Sequence, residues 1–134
     1  MSKYNITDQK EKNTTYQLQL RAAIIDGLHD KILKKLIAEK KYLDPTYSEK
    51  QLAIDLNTNT RYLSAVIKLR FQQNYSSLVN QYRIHDALYL LKDPRYQDYN
   101  IEDISRMVGF SNRQSFYAAF YRIKGITPNK YRAR

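Results

Sequence analysis

The sequence contains no cysteine, and its apolar runs are short. The absence of cysteine excludes a disulfide framework, a thiolate nucleophile and a thiolate metal site. No apolar run approaches the ~20 residues that a membrane-spanning helix requires, and the polar N-terminus lacks the apolar stretch of a secretory signal. We therefore expect a cytoplasmic protein that does not span a membrane.

Residue groups that serve enzymes are also missing. The three glycines are too far apart in the chain to form a phosphate-cradling loop. His29 and His85 have no second histidine at the spacing of a helical metal site, so we predict that no metal is bound. Glu102 and Asp103 are neighbours in the first turn of a predicted helix, where acidic side chains are common and adjacent ones point apart. The sequence therefore predicts neither an enzyme nor a cofactor.

The charged residues that are present are mostly basic. The 134 residues include 23 Lys and Arg against 13 Asp and Glu, which gives a formal net charge of +10. Hydrophobic residues make up 43% of the chain, enough for one folded domain or two very small ones. A basic folded domain favours polyanionic partners, with nucleic acid first and an anionic membrane surface second. Charge alone does not choose between them.

Apolar residues recur at helical spacing along the chain, and no alternating strand pattern is present. The first helical stretch runs from Leu18 to Leu43 and is ended by Asp44-Pro45, whereas the residues before it are polar and aperiodic. The predicted segments are a flexible leader or linker (1–16), an N-terminal helix (17–44), a first helix-turn-helix unit (45–74), a connecting helix (75–93) and a second helix-turn-helix unit (94–134).

Each unit has its own helix start signals. Ser48 followed by Gln51 is a capping-box pattern, in which each side chain satisfies a free backbone amide at the other position. A short polar side chain, whose oxygen can accept a hydrogen bond from a backbone amide of the first turn, precedes each of the other three helices of the two units. The predicted N-caps are Ser48, Asn59, Asn100 and either Ser111 or Asn112.

The two units form an internal repeat. Each has a short helix, a turn and a longer helix, and the second turn is one residue longer than the first. Duplication of one unit is the economical explanation. The matching inward positions are Leu52, Ala53, Leu56, Leu63 and Ile67 in the first unit, and Ile104, Ser105, Val108, Phe116 and Phe120 in the second.

The second helix of a helix-turn-helix unit presents its solvent face to the major groove of DNA. Arginine can bond guanine bidentately, glutamine suits adenine, and an aromatic side chain can contact a thymine methyl group or a phosphate. The sequence therefore predicts two helices that can read base edges. Their outward positions are Thr60, Arg61, Ser64 and Lys68 in the first unit, and Arg113, Gln114, Tyr117 and Tyr121 in the second.

The connecting helix sets the distance between the two units. From Ser76 to Leu91 it would extend ~24 Å at ~1.5 Å per residue. With the width of the flanking elements added, this approaches the ~34 Å between successive major-groove faces. One chain could therefore fill two grooves without dimerising.

The segment 101–132 carries a specific set of residues, namely Val108-Gly109-Phe110-Ser111, Phe116, Phe120, Gly125, Thr127-Pro128 and Tyr131-Arg132. At this spacing they match the signature of the AraC/XylS family, and the chain resembles the DNA-binding domain of that family over residues 31–132. The first half agrees through Leu52-Ala53, Tyr62-Leu63-Ser64 and Arg83.

The resemblance implies an all-α domain of about seven helices, with two helix-turn-helix subdomains joined by a long connecting helix. It implies sequence-specific binding to asymmetric sites in double-stranded promoter DNA, and contact with RNA polymerase. The chain is then either a complete short regulator or the output end of a longer protein with a sensor or dimerisation domain upstream.

The site residues follow from this resemblance taken together with the docking geometry. The expected base contacts are Thr60, Arg61, Ser64 and Ala65 in the first unit, and Asn112, Arg113, Gln114, Tyr117 and Ala118 in the second. The expected phosphate contacts are Lys68, Arg70, Tyr121, Lys124 and Lys130.

Two positions depart from the family pattern. The family usually has glycine where Gln72 stands, and a left-handed backbone there would make glutamine unfavourable by roughly 1 kcal/mol. The family usually has alanine where Ser105 stands, and we expect serine to pack similarly. Arg83 matches the family, and we expect it to bond a helix end or a nearby carboxylate rather than DNA.

An alternative hypothesis is a non-specific basic helical module that binds nucleic acid, an anionic membrane or a partner surface. It is based on the basic amphipathic stretch from Leu18 to Leu43. Asp26, Asp30 and Glu39 interrupt the basic face, so we expect no membrane contact by this domain. The simpler interpretation is that the C-terminal part of this stretch is the first helix of the DNA-binding domain.

Overall fold

A computed structural model of the chain describes residues 3–134, with side chains described from residue 13 onward. Within that range the secondary structure is entirely helical, which confirms the predicted all-α fold. The seven α-helices are α1 (Lys3–Leu33), α2 (Glu49–Asp55), α3 (Thr60–Phe71), α4 (Tyr75–Lys92), α5 (Ile101–Met107), α6 (Arg113–Lys124) and α7 (Pro128–Ala133).

The N-terminal helix differs from the prediction at its start. Apart from residues 1 and 2, which lie outside the described residues, the predicted leader 1–16 is helical as part of α1. The side chains of residues 13–20 are all exposed, so no packing selects apolar residues at helical spacing there. The predicted start at Leu18 therefore matches neither the beginning of the helix nor its first contact with the core, which is at the half-buried Ile25.

The predicted C-terminal end of this helix is also wrong. One π-helical turn (Lys34–Ala38) follows α1, and Lys40 then adopts a left-handed backbone with φ of 54°. A short 3₁₀ turn (Lys41–Leu43) comes next. Leu36 and Tyr42 remain buried on both sides of this break, so apolar spacing alone did not reveal it.

The two helix-turn-helix units have the same dimensions, as expected of a repeat. α2 and α5 have 7 residues each, and α3 and α6 have 12 each. All the matching inward positions are buried except Leu56, which is half-buried. The turn before α3 is one residue shorter than the turn before α6, in agreement with the prediction.

The N-caps are formed by the expected side chains. Asn59 and Asn100 accept backbone amide hydrogen bonds from Tyr62 and Asp103, and Asn112 caps α6 rather than Ser111. The box predicted at α2 is only half formed. Ser48 accepts from the Gln51 amide at 3.1 Å, but the Gln51 side chain donates to Asp55 at 2.9 Å instead of bonding back.

The core is divided into two clusters, one in each unit. The first gathers the C-terminal half of α1, α2, α3 and the start of α4, through residues such as Ile32 and Leu78. The second gathers the rest of α4 with α5 and α6. Helix α4 therefore belongs to both units, and its 18 residues extend ~27 Å at ~1.5 Å per residue.

Candidate DNA interface

Helix α3 has one buried and one exposed face. Leu63, Val66 and Ile67 point into the first core. The opposite face carries mostly polar side chains and faces outward, because the apolar residues lie on one side of the helix. The predicted contacts on this face are all exposed, namely Thr60, Arg61, Ser64, Ala65 and Lys68.

Two polar side chains of α3 already have partners in the protein. The Ser64 hydroxyl donates to the carboxylate of Glu49 in the first turn of α2. The Arg70 guanidinium forms an ion pair with Asp26 of α1, and only a third of its side chain is exposed. Arg70 thus ties α3 to α1, which competes with its predicted contact to phosphate.

Helix α6 repeats the same arrangement with larger side chains. Phe116, Ala119 and Phe120 are buried in the second core. Tyr117 is half-buried, and its ring packs edge-to-face on Phe116. The remaining predicted contacts are exposed, namely Asn112, Arg113, Gln114, Ala118 and Tyr121.

Arg113 is held at the N-terminal end of α6 by weak contacts. Its guanidinium carbon lies 4.8 Å from the centroid of the Tyr117 ring, and one guanidinium nitrogen is 3.5 Å from a carboxylate oxygen of Glu102. Both members of that ion pair are at least half exposed, so the pair contributes little stability. Arg113 is therefore stacked in a defined orientation and can exchange Glu102 for a base edge.

The sequence interpretation missed Glu49 and Glu102 as neighbours of the recognition helices. Each lies in the first turn of a preceding helix and contacts a polar side chain of α3 or α6. Counted from the inward residues Leu63 and Phe116, the Glu102 partner Arg113 aligns with Thr60 and not with the Glu49 partner Ser64. The repeat therefore did not predict these two contacts, and which carboxylate approaches each helix depends on the folded structure.

The remaining predicted phosphate contacts lie near the C-terminal end of α6 and the start of α7. Lys124 and Lys130 are exposed, and the Lys124 ammonium lies 5.8 Å from the centroid of the Tyr131 ring. Tyr121, two-fifths buried, projects from the outer face of α6. Their charges and hydroxyl are accessible to an anionic ligand.

Arg83 bonds a helix end, which confirms the expectation. Its Nε donates to the Tyr42 carbonyl oxygen at 2.6 Å, and Nη2 donates to that of Asp44 at 3.3 Å. Both carbonyls lie at the end of the 3₁₀ turn, so Arg83 caps that turn together with the Tyr47 amide, which donates to the Asp44 carbonyl oxygen at 3.2 Å. Partial burial lowers the pKa of the Arg83 guanidinium from its ordinary value.

The two departures from the family pattern are both accommodated. Gln72 ends α3 with φ of 55°, the left-handed conformation that Gly125 adopts at the equivalent end of α6. Ser105 is 2% exposed and lies in the second unit at the position where Ala53 is buried in the first. Serine thus fits the small space between α5 and its neighbours.

Comparison with known proteins identifies the family of this chain. A helix-turn-helix domain family matches residues 52–134, more than half of the chain. In fold, the chain is similar to an AraC-type transcriptional regulator from Chromobacterium violaceum, at 22% identity and a TM-score of 0.65, covering 81% of this chain and 94% of that one. The chain belongs to the AraC-type helix-turn-helix family. This family consists of DNA-binding transcription regulators.

This AraC-type domain is also similar to two further bacterial regulators. It is 28% identical to the C-terminal domain of the two-component response regulator yesN from Fusobacterium nucleatum, with a TM-score of 0.67 over 78% of this chain and 98% of that one. It is 29% identical to the HTH-type transcriptional regulator YtdP of Bacillus subtilis over 84% of this chain. The chain spans 16% of the length of YtdP.

The described helices also bear on the membrane hypothesis. Within residues 3–134, none combines the length and the apolar character needed to cross a bilayer. From its middle onward the basic stretch buries Leu28, Ile32 and Leu36 in the first core. This part of it packs with the first helix-turn-helix unit, in agreement with the simpler interpretation of that stretch.

Proposed function

We propose that this AraC-type domain binds duplex promoter DNA by placing α3 and α6 in two successive major grooves on one face of the duplex. The observation that carries the proposal is the repeat itself. Two units with helices of equal length each expose a polar face on the second helix, and both are built on α4. A single recognition helix would not need a second copy with the same face left open.

The two faces differ in the chemistry that they offer. In the second unit, Arg113 supplies a bidentate donor for guanine and Gln114 suits adenine, while Tyr117 holds the Arg113 side chain by stacking. The first unit offers Arg61 flanked by smaller side chains. We propose direct base contacts from Thr60, Arg61, Ser64 and Ala65, and from Asn112, Arg113, Gln114, Tyr117 and Ala118.

Phosphate contacts hold the protein on the duplex without specifying sequence. We retain Lys68, Tyr121, Lys124 and Lys130 in this role. Arg70 is engaged by Asp26, and we assign it to holding α1 against α3 instead. A net charge of +10 supports attraction to the duplex as a whole.

Beyond the domain itself, we propose that it acts in the cytoplasm, carries no catalytic activity and contacts RNA polymerase at the promoter. An upstream sensor or dimerisation segment would adjust its activity. The relative YtdP, of which the chain spans 16%, and the yesN domain, a C-terminal portion of a response regulator, support an output role for this segment.

Selection of bound sequences from random duplexes of roughly 30 base pairs tests the proposal, because that length holds two half-elements one helical turn apart. We expect a two-part, non-palindromic motif with ~10 base pairs between its half-elements. A single short motif would contradict reading by both units. Salt-sensitive binding without any enriched sequence would favour the non-specific basic module.

Matched substitutions separate base reading from phosphate binding. Arg113→Ala should weaken binding by about 1–3 kcal/mol and relax the preference at one base position. Lys68→Ala should weaken all sequences alike. Titrations against the selected site and its single-base variants measure both effects. If Arg113→Ala leaves affinity and preference intact, α6 is not the reading helix of the second unit.

A further inference from the structure

The two units meet at a small polar junction. Along α4, Leu78 and Val79 are buried in the first core, whereas Ile84 and Ala87 are buried in the second. Arg83 lies at the changeover between these two sets. The orientation of one unit relative to the other therefore depends on what surrounds this position.

On the side of the first unit, Arg83 is fixed by directional hydrogen bonds. Besides the two backbone carbonyls at the end of the 3₁₀ turn, its Nη1 donates to the Asn80 side-chain oxygen at 3.3 Å. The fork geometry of a guanidinium allows these bonds to form together. The next turn of α4 adds a bond from the Tyr42 hydroxyl to Asp86. The chain segment at Tyr42 is thus bound to α4 through both its backbone carbonyl and its side chain.

On the side of the second unit, the same guanidinium contacts the turn before α6. Its carbon lies 5.5 Å from the centroid of the buried Phe110 ring, within range of a cation–π interaction. Gly109 approaches so closely that a Cβ atom there would lie 2.5 Å from the Tyr42 carbonyl oxygen and 2.9 Å from Arg83 Nε. The backbone φ of 106° at Gly109 also disfavours any side chain.

We propose that Arg83 is a positioning residue that sets the angle between the two recognition helices, and thereby the spacing between the DNA half-elements that the protein accepts. It bonds the first unit, stacks on the second, and packs so closely against Gly109 that no side chain fits there. This inference rests on the proposed reading of two grooves. The contacts of the Arg83 guanidinium form without DNA, so Arg83 positions the two units before the protein binds DNA.

Helical geometry of DNA makes spacing a sensitive readout. One inserted base pair moves a half-element by ~3.4 Å along the axis and rotates it by roughly 35° around the duplex. A rigid protein cannot follow this rotation without losing contacts at one groove. A protein whose units pivot can follow it. Spacing tolerance therefore reports the stiffness of the junction rather than the contacts of either helix.

The first experiment measures binding to duplexes in which the selected half-elements are moved apart or together by one and two base pairs. The native protein should lose about tenfold in affinity for a one-base-pair change, comparable to a mismatched contact. Arg83→Met should flatten this profile to a loss of about threefold or less, while preference within each half-element stays the same. Arg95→Met is the control, since Arg95 is exposed and pairs with Asp93 away from the junction.

The second experiment needs no DNA. Because the chain has no cysteine, Lys50→Cys in α2 and Arg122→Cys in α6 place a unique pair of spin labels on exposed sites of the two units. We expect one narrow distance distribution for native Arg83 and for Arg95→Met, and a broader or shifted one for Arg83→Met. If Arg83→Met does not fold, Arg83→Lys is used, because it keeps the charge but loses the fork.

The outcomes separate the two proposals. A folded Arg83 variant with the native distance distribution and the native spacing profile would overturn the role of Arg83. A native protein that shows no two-part motif would instead contradict the proposed function, and the spin-label distances would still decide whether Arg83 fixes the two units. Broadened distances with a flattened spacing profile support the positioning role.

Discussion

Gln72, like Lys40 and Asn57, has a left-handed backbone that glycine would favour. It ends α3 in a left-handed conformation, and its side chain donates to the Leu69 carbonyl oxygen at 3.0 Å. Glycine adopts this conformation without the Cβ penalty. We expect Gln72→Gly to raise the free energy of unfolding by about 1 kcal/mol, measured by urea denaturation.

Gly125 provides the matched control for this prediction. It has φ of 73° at the equivalent end of α6, and no atom lies within 4 Å of the position that a Cβ would take. Gly125→Ala should therefore lower stability by about 1 kcal/mol through the backbone alone. A decrease in stability on Gln72→Gly would show that the side-chain bond outweighs the backbone penalty.

Tyr75 gives the first unit a sensitivity to alkali. Its buried hydroxyl donates to the Tyr47 carbonyl oxygen at 2.6 Å, and burial raises the pKa of Tyr75 to about 12. Since the unfolded chain loses this proton near its ordinary value of about 10, folding stability is full below that pH and falls as the pH rises toward 12. Urea midpoints at several pH values should fall less between pH ~10 and ~12 for Tyr75→Phe. An equal fall would show that Tyr75 does not contribute.

At the scale of whole elements, α1 combines two segments with different roles. Ile32 is fully buried in the first core, whereas Leu18 is 58% exposed. Ile32→Ala should cost about 2–5 kcal/mol because it removes core packing. Leu18→Ala, the same kind of truncation on the exposed segment, should stay within about 0.5 kcal/mol. Thermal or urea unfolding checks both.

The result would define the domain boundary. The family match begins at residue 52, after α1 has ended. A large loss for Ile32→Ala would show that the folded unit extends well before that match. Equal, small effects of the two substitutions would mean that α1 is dispensable for the first core.

Short, locally coded elements were predictable from the sequence. The caps at Asn59 and Asn112 depend only on side chains within three residues of the start of each helix. The length of each turn could be read from the same local signals. The left-handed turn at Lys40 was missed because burial continues on both sides of it. Contacts such as Arg70 with Asp26 join residues 44 positions apart, and no local pattern encodes them. The repeat predicted that α3 and α6 each expose a polar face. It did not predict that Glu49 and Glu102 would contact those faces.

At the scale of the whole molecule, the net charge of +10 should govern how binding responds to salt. Neutralising six to eight phosphates predicts a slope of roughly −5 to −7 for log K against log salt concentration. Binding of the selected duplex at increasing sodium chloride measures it. Lys68→Ala should make the slope shallower by about 1, whereas the same change at Lys31, exposed in α1, should not. A slope near −2 would contradict contact with two grooves.

The division of the core between two clusters has a consequence for cooperativity. Since α4 contributes its first turns to one cluster and its later turns to the other, opening either unit removes packing from only half of that helix. Partial unfolding of one unit can then leave the other with its own apolar interior intact. We therefore expect local opening at one end to be transmitted only in part to the other, so that the domain unfolds as two units that share a single helix.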